Sequence, residues 1–364
     1  MSVLEERYRR WLRLLPASYR AEREEEMVWA FLEGAQSGRA GHDDQHPRFL
    51  EIASVAALAL RVRLGGPGSP PRSHLWGEAV RRAALLGLVF WTVIGCLYAG
   101  QAVLTYGIPP EMLPDGVMGI GDPGSPERVR LVLAELAPLL WAVALGALVR
   151  GRSRTAKAAA VAALVVPYML MPPLFLNWES AVRWACSILP AVVMVLALVI
   201  GFHRDAPPSR LPARRALPVV AIPVAAGLLL ALVVGVLGAA TRAGTVPAPI
   251  LVQAWMWVDV PGLASLSLLA LTVWCAAMGR TLTWPGPAAL AGAILAVPAV
   301  LARAGTLSPG GADPALGMTG LAGGVQLAVL LASGITLAVV GVRALRAADD
   351  TRALYGRPSG GQPR

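Results

Sequence analysis

Beyond residue 80 the chain is a succession of apolar runs separated by short charged or breaker-rich stretches. They cover roughly residues 83–106, 131–149, 158–176, 181–202, 217–240, 258–278, 286–303 and 321–342. About 20 apolar residues are needed to cross the hydrocarbon core of a bilayer as a helix. With no water there to solvate the backbone, such runs can only be helices that satisfy their own peptide groups. The expected fold class is therefore all-α: a polytopic integral membrane protein with about eight transmembrane helices and a small N-terminal three-helix cytoplasmic head. Composition agrees, with 56% hydrophobic residues, 15% charged and a mean hydropathy of +0.59. Soluble domains carry about a quarter charged residues.

The 32 basic residues outnumber 22 acidic ones, a balance that ordinarily raises nucleic acid as a partner. Position argues otherwise. Residues 1–73 hold 11 arginines and 10 acids, so the excess lies among the apolar runs. There it sets topology and meets anionic lipid head groups. The bilayer is the expected partner, and nucleic acid is not.

The positive-inside rule tests the number of spans. With the head inside, the cytoplasmic flanks carry Arg81 and Arg82, then Arg150, Arg152, Arg154 and Lys157, then Arg204, Arg210, Arg214 and Arg215, then Arg280, and five further arginines from Arg343 to Arg364. The opposite side carries only Arg128, Arg130, Arg183, Arg242 and Arg303. Eight spans with both termini cytoplasmic keep this alternation. Trp76 and Trp284 fall at inner boundaries, and Tyr106, Trp178, Trp184, Trp255 and Trp257 at outer ones, as an interfacial belt requires. Lys157 is the only lysine, which with the abundant Ala, Gly and Pro suggests a GC-rich bacterial genome and a bacterial plasma membrane. The first thirty residues hold no apolar core with a cleavage site, so the first span is expected to act as an uncleaved insertion signal. Cys96, Cys186 and Cys275 each fall within a span and read as small core residues.

The head spans residues 1–64, followed by a linker over 65–80, a transmembrane domain over 81–343 and a cytoplasmic tail over 344–364. In the first helix, from about Ser2 to Leu15, Leu4, Tyr8, Trp11, Leu12 and Leu15 form one face. Pro16 stops it. Ser18 is the expected N-cap of a second helix, with Glu22, Glu24 and Glu25 at its early turns and Tyr19, Met27, Val28, Phe31 and Leu32 facing inward. A third helix from about Pro47 to Leu64 packs through Phe49, Leu50, Ile52, Ala53, Ala56, Leu60 and Leu64.

The pattern Tyr8, Leu12, Leu15-Pro16, Tyr19-Arg20, Glu22 to Glu26, Met27, Phe31-Leu32 resembles the helical head of many actinobacterial multi-pass membrane proteins of uncharacterised function. It is also similar to the HAAS-type head of bacterial membrane proteins often encoded beside PadR-like transcription regulators. The resemblance covers residues 3–64 and implies a cytoplasmic, regulatory head with no chemistry to carry over.

Two acids stand out in the body. Glu135 lies about five residues into the second span; it reads as an outer-interface residue pairing with Arg130 or Arg183, and alternatively as a proton or cation relay. Asp259, in QAWMWVDVPG, reads as the capping acid of a sixth helix beginning near Val258, with WMW as an interfacial anchor. If that helix began at Ile250, Asp259 would instead sit beside a broken helix, the kind of place where transporters bind ions. His42 and His46, flanking Asp43 and Asp44, have metal-compatible spacing but lie in a polar loop without a further anchored ligand, so no metal site is expected. Gly320 and Gly324 form one GxxxG that would let the eighth helix pack closely. Arg-Ala-Gly-Thr occurs at 242–245 and again at 303–306, which chance in an Ala/Gly-rich chain explains.

No glycine-rich phosphate loop precedes Lys157, and there is no HExxH or GxSxG. No enzymatic activity and no cofactor are expected. The leading expectation is a regulatory or sensory membrane protein whose head binds a cytoplasmic protein partner; the alternative is a transporter or permease subunit moving a small solute.

Overall fold

The computed structural model describes residues 3–37, 49–65, 71–106, 125–173, 175, 177–203, 212–278, 285–307 and 314–355. Its elements are helical throughout these residues. The head comprises α1 (Val3–Leu12), α2 (Ala17–Ser37) and α3 (Phe49–Arg63). Tyr8, Leu12, Leu15 and Val28 are buried together with Val55 and Ala59, and Tyr8 stacks on Phe31 with ring centroids 4.0 Å apart. The inward faces of α1 and α2 thus follow their periodicity, except that Trp11 remains exposed. On α3 the buried residues among the described side chains are Val55, Ala59 and Val62, whereas Ile52, Ala56 and Leu64 are only partly covered; the side chains of Phe49, Leu50, Ala53 and Leu60 lie outside the described residues. This helix is apolar nearly all round, so its pattern selects no single face.

Ser18 is not the cap of α2, because the helix already begins at Ala17 and the Pro16 carbonyl accepts from the Arg20 amide. The acidic residues lie beyond the first turn and serve an ion pair instead. Arg9 donates to both Glu25 oxygens at 2.7 and 2.9 Å and also reaches Glu5 and Glu24. Hydrogen bonding from Arg9 holds the Glu25 carboxyl below its ordinary value, and Glu25 in turn raises Arg9. Arg63 closes the head by donating to the Leu14 carbonyl at the α1–α2 corner.

The body contains α4 (Pro71–Tyr106), α5 (Pro126–Leu136), α6 (Leu140–Val149), α7 (Ser153–Leu170), α8 (Trp178–Gly201), α9 (Ala213–Arg242), α10 (Ala248–Val258), α11 (Val260–Met278), α12 (Pro285–Thr306) and α13 (Pro314–Tyr355). The stretch read as a linker is helical from Pro71 onward, and α13 carries the last span through much of the tail. Alanine, leucine and arginine all sustain a helix, so the polarity change at either membrane boundary does not end it. At the corner between α3 and α4, Gly77 lets the Leu64 carbonyl lie directly against α4; a Cβ there would collide with it.

Among the described residues, seven stretches are long and apolar enough to cross a membrane: Arg72–Leu104, Pro126–Val149, Trp178–Gly201, Ala216–Arg242, Val260–Met278, Pro285–Thr306 and Gly320–Ala347. The protein is an all-α, polytopic integral membrane protein. The expected third span, 158–176, differs. Its helix α7 starts earlier, carries Arg154 and Lys157 in its first turns, and ends at Leu170 before Pro172 and Pro173. At 18 residues it is about 27 Å long by helical rise. It nonetheless runs the depth of the body. Lys157 Nζ donates to the Val199 carbonyl at one end of α8, and Tyr168 packs edge-on to Trp184 at the other.

α4 and α12 are central. Over half of the apolar window of each (56%) is buried, against 22% for the peripheral α9. Leu88 of α4, Leu145 and Leu148 of α6, and Met194 and Leu198 of α8 share one fully buried cluster. Leu268, Ala289, Leu330 and Leu337 form a second between α11, α12 and α13. Cys96 and Cys275 are buried and Cys186 partly so, all as free thiols. Pro138 tightens the junction of α5 and α6 into a 3-10 turn, Ala137–Leu139, against which only a glycine, Gly95, fits. Pro172 lies beyond α7, outside any helix.

Gly320 and Gly324 face open space rather than a partner helix. Gly334 and Gly341 are the positions where α13 touches α12, their Cβ sites 3.0 Å from Ala296 and 2.5 Å from Leu290. At the head-side end of the body, Ala79, Leu290 and Leu345 pack together with Trp76. At the far end, Gly305 of α12 lies against Cys186 of α8.

Candidate functional site at an interrupted helix

The sixth expected span, 258–278, is α11, and a separate helix, α10, runs up to it with a break at Asp259 between them. Residues 258–262, Val-Asp-Val-Pro-Gly, explain it. Pro261 has no amide to donate to the Trp257 carbonyl and its ring clashes with that turn, so one helix cannot run through it. Val260 and Pro261 instead stand in the first turn of α11, where a proline is tolerated, and Asp259 before them is extended, with φ −64° and ψ 170°. It closes α10 through its amide, which donates to the Trp255 carbonyl at 2.8 Å. It opens α11 through its side chain, whose Oδ1 accepts from the Gly262 amide at 2.8 Å. Both sequence readings of this acid therefore describe one geometry: it caps α11, and it stands beside a broken helix. The WMW stretch lies within α10 rather than in a loop. Gly262 is required because a Cβ would strike the Met256 carbonyl and lie 2.8 Å from Oδ1 of Asp259.

Side chains from α12 and α13 converge on the break. Arg303 is only 4% exposed; its Nη1 lies 3.8 Å from Asp259 Oδ2 and donates weakly to Thr306 Oγ1 at 3.4 Å. Gln326 is fully buried, and its Nε2 donates at 2.9 Å to the Met256 carbonyl that the break frees. Ser265, also buried, donates to the Gly262 carbonyl at 2.7 Å. Among the described residues, Arg303 Nε and Nη2 and Gln326 Oε1 have no hydrogen-bond partner.

Glu135 lies on an exposed face of α5 and makes no ion pair with Arg130 or Arg183 among the described residues. The Tyr98 ring of α4 lies 6.3 Å from that of Trp255 on α10.

Two cavities flank the break. One of about 250 Å³ lies between α4, α8, α11 and α12, walled by Phe90, Trp91, Pro190, Pro261 and Leu295 among others. The other, about 670 Å³, is a more open groove between α4, α9 and α10 that includes Gln101, Arg242, Trp255 and Met256. Neither Glu135 nor Asp259 lines them.

Arg303 and Gln326 are the residues that sequence reasoning missed. Arg303 lies at the far end of the body, as the charge tally had it, but is buried against Asp259 rather than exposed. Its counterpart in the other Arg-Ala-Gly-Thr copy, Arg242, is exposed, so the two copies hold different environments. The available signal for Gln326 was a lone amide inside the apolar run 321–342. No cluster of three His, Cys, Asp or Glu residues occurs among the described residues, and His42, Asp43, Asp44 and His46 lie outside them. The arrangement offers hydrogen-bond donors, acceptors and a charge pair. No known protein family, curated protein or solved structure matches the chain.

Proposed function

We propose that the protein is a regulatory or sensory protein of a bacterial plasma membrane whose head binds a cytoplasmic protein partner. The observation that carries this reading is the self-contained head. It has its own core around Leu12, its own ion-pair network around Arg9, and two exposed tryptophans, Trp11 at 39% and Trp29 at 66%. In this reading the body crosses the membrane eight times, α7 included, with both termini cytoplasmic. Support for the eighth crossing is the run of α7 from Val199 to Trp184, together with the positive-inside tally. Deleting residues 1–64 while confirming membrane insertion is the test. The deletion should reproduce the phenotype of losing the whole protein, and a fully functional body alone would contradict the reading.

A second reading, a transporter or permease subunit, is favoured by the break between α10 and α11 with Asp259 facing Arg303. Replacing Glu135 by Gln and Asp259 by Asn in reconstituted vesicles should then abolish flux of a small solute, and unchanged flux would remove it.

A further inference from the structure

The buried guanidinium of Arg303 is only half used. Nη1 faces Asp259 and Thr306, while Nε and Nη2, which share the opposite edge of the planar group, have no partner among the described residues. That edge carries two parallel N–H donors, the fork that matches the two oxygens of a carboxylate or phosphate. A buried donor left unsatisfied is costly, more so when charged, so native proteins seldom bury one idle. The same pocket holds an acceptor in the same condition. Gln326 commits Nε2 to Met256 at 2.9 Å, which turns its Oε1 away, and that oxygen is also buried without a partner. Space on the Arg303 side is provided by Gly323, one turn before Gln326 on α13. A Cβ there would sit 3.6 Å from Nη2 and 2.7 Å from Leu307.

We propose that the Nε–Nη2 edge of Arg303, at the interruption between α10 and α11, binds a small oxyanion, a carboxylate or phosphate group. Gln326 Oε1 accepts a hydrogen bond from a donor on the same ligand. Asp259 holds the opposite edge of the guanidinium and leaves the fork free. The ligand group is either a free anion or the head group of an anionic lipid. The site is independent of the head and of the regulatory reading that rests on it.

The test uses the full-length protein in mild detergent at constant ionic strength set with potassium chloride. Thermal unfolding is followed while acetate, inorganic phosphate or a short-chain phosphatidylglycerol is titrated in. Wild type should show a saturable rise in its midpoint with at least one probe. A response to acetate or phosphate identifies a free anion, and a response to the phosphatidylglycerol alone identifies a lipid head group. Arg303→Lys keeps the charge but loses the fork, and should weaken apparent binding about tenfold or more. Gly323→Ala leaves the charge untouched and crowds Nη2, and should weaken it in the same direction should the lysine variant not fold. No midpoint shift with any probe, or equal shifts in wild type and a folded variant, would overturn the proposal.

Discussion

Asp259 and Arg303 are the pair on which single substitutions should have the largest effect. Removing one partner of a buried pair strands the other, which costs more than losing both. Asp259→Asn retains a capping oxygen for Gly262 but leaves Arg303 unopposed. It should lower stability by about 1–3 kcal/mol. Adding Arg303→Met should recover part of that loss, a coupling readable as a double-mutant cycle in thermal unfolding. Additive losses would mean the two groups do not interact. Glycines give a second contrast. Gly262→Ala should destabilise strongly because its Cβ meets the backbone of α10, whereas Gly320→Ala and Gly324→Ala should be neutral or stabilise by up to about 1 kcal/mol through helix propensity. Comparing the three unfolding midpoints checks this; equal losses would contradict the packing of α13. At this scale the sequence was legible where backbone chemistry dominates, as in Val-Asp-Val-Pro-Gly. It was opaque where a side chain's role depends on a distant helix. A positive-inside tally counts every arginine at a span end alike, and nothing local separates buried Arg303 from exposed Arg242.

Among elements, the head couples its stability to pH through Glu25. Its carboxyl is depressed by Arg9, so its contribution is present above the ordinary glutamate value of 4.5 and fades as pH falls through the lower, folded value. Arg9 is raised further still and stays charged throughout, so it adds no acid-side dependence. Because the pair is at the surface, the effect is small and salt-sensitive. Hydrogen exchange of α1 and α2 amides should accelerate below pH 4.5 in wild type more than in Glu25→Gln; identical profiles would show that the ion pair contributes nothing. The inward faces of α1 and α2 were readable because polar residues flank Tyr8, Leu12, Val28 and Phe31. That of α3 was not, because Val55, Ala59 and Val62 compete with equally apolar neighbours. Helix ends were read in part: Pro16 stops α1 through steric clash, whereas Pro172, which fell inside the expected span 158–176, lies beyond the end of α7, and nothing local halts α4 or α13 at the membrane boundary.

At the scale of the whole molecule, α7 decides the parity of the chain. Among the described residues, seven stretches meet the length and hydropathy needed to span a bilayer, and α7 falls short because Arg154 and Lys157 occupy its first turns. Its lysine reaches the Val199 carbonyl while its far end meets Trp184, a geometry that suits a short helix snorkelling one cation to an interface. Counting it makes eight crossings and returns the C-terminus to the side of the head. The most direct measurement is labelling of single cysteines by a membrane-impermeant thiol reagent in intact cells, in a background with Cys96, Cys186 and Cys275 replaced. Sites are placed at Ser2, Arg152, Pro173 and Gly360. The account predicts labelling at Pro173 alone, with the other three reacting only after the membrane is opened. Labelling at Gly360 with Ser2 protected would contradict eight crossings.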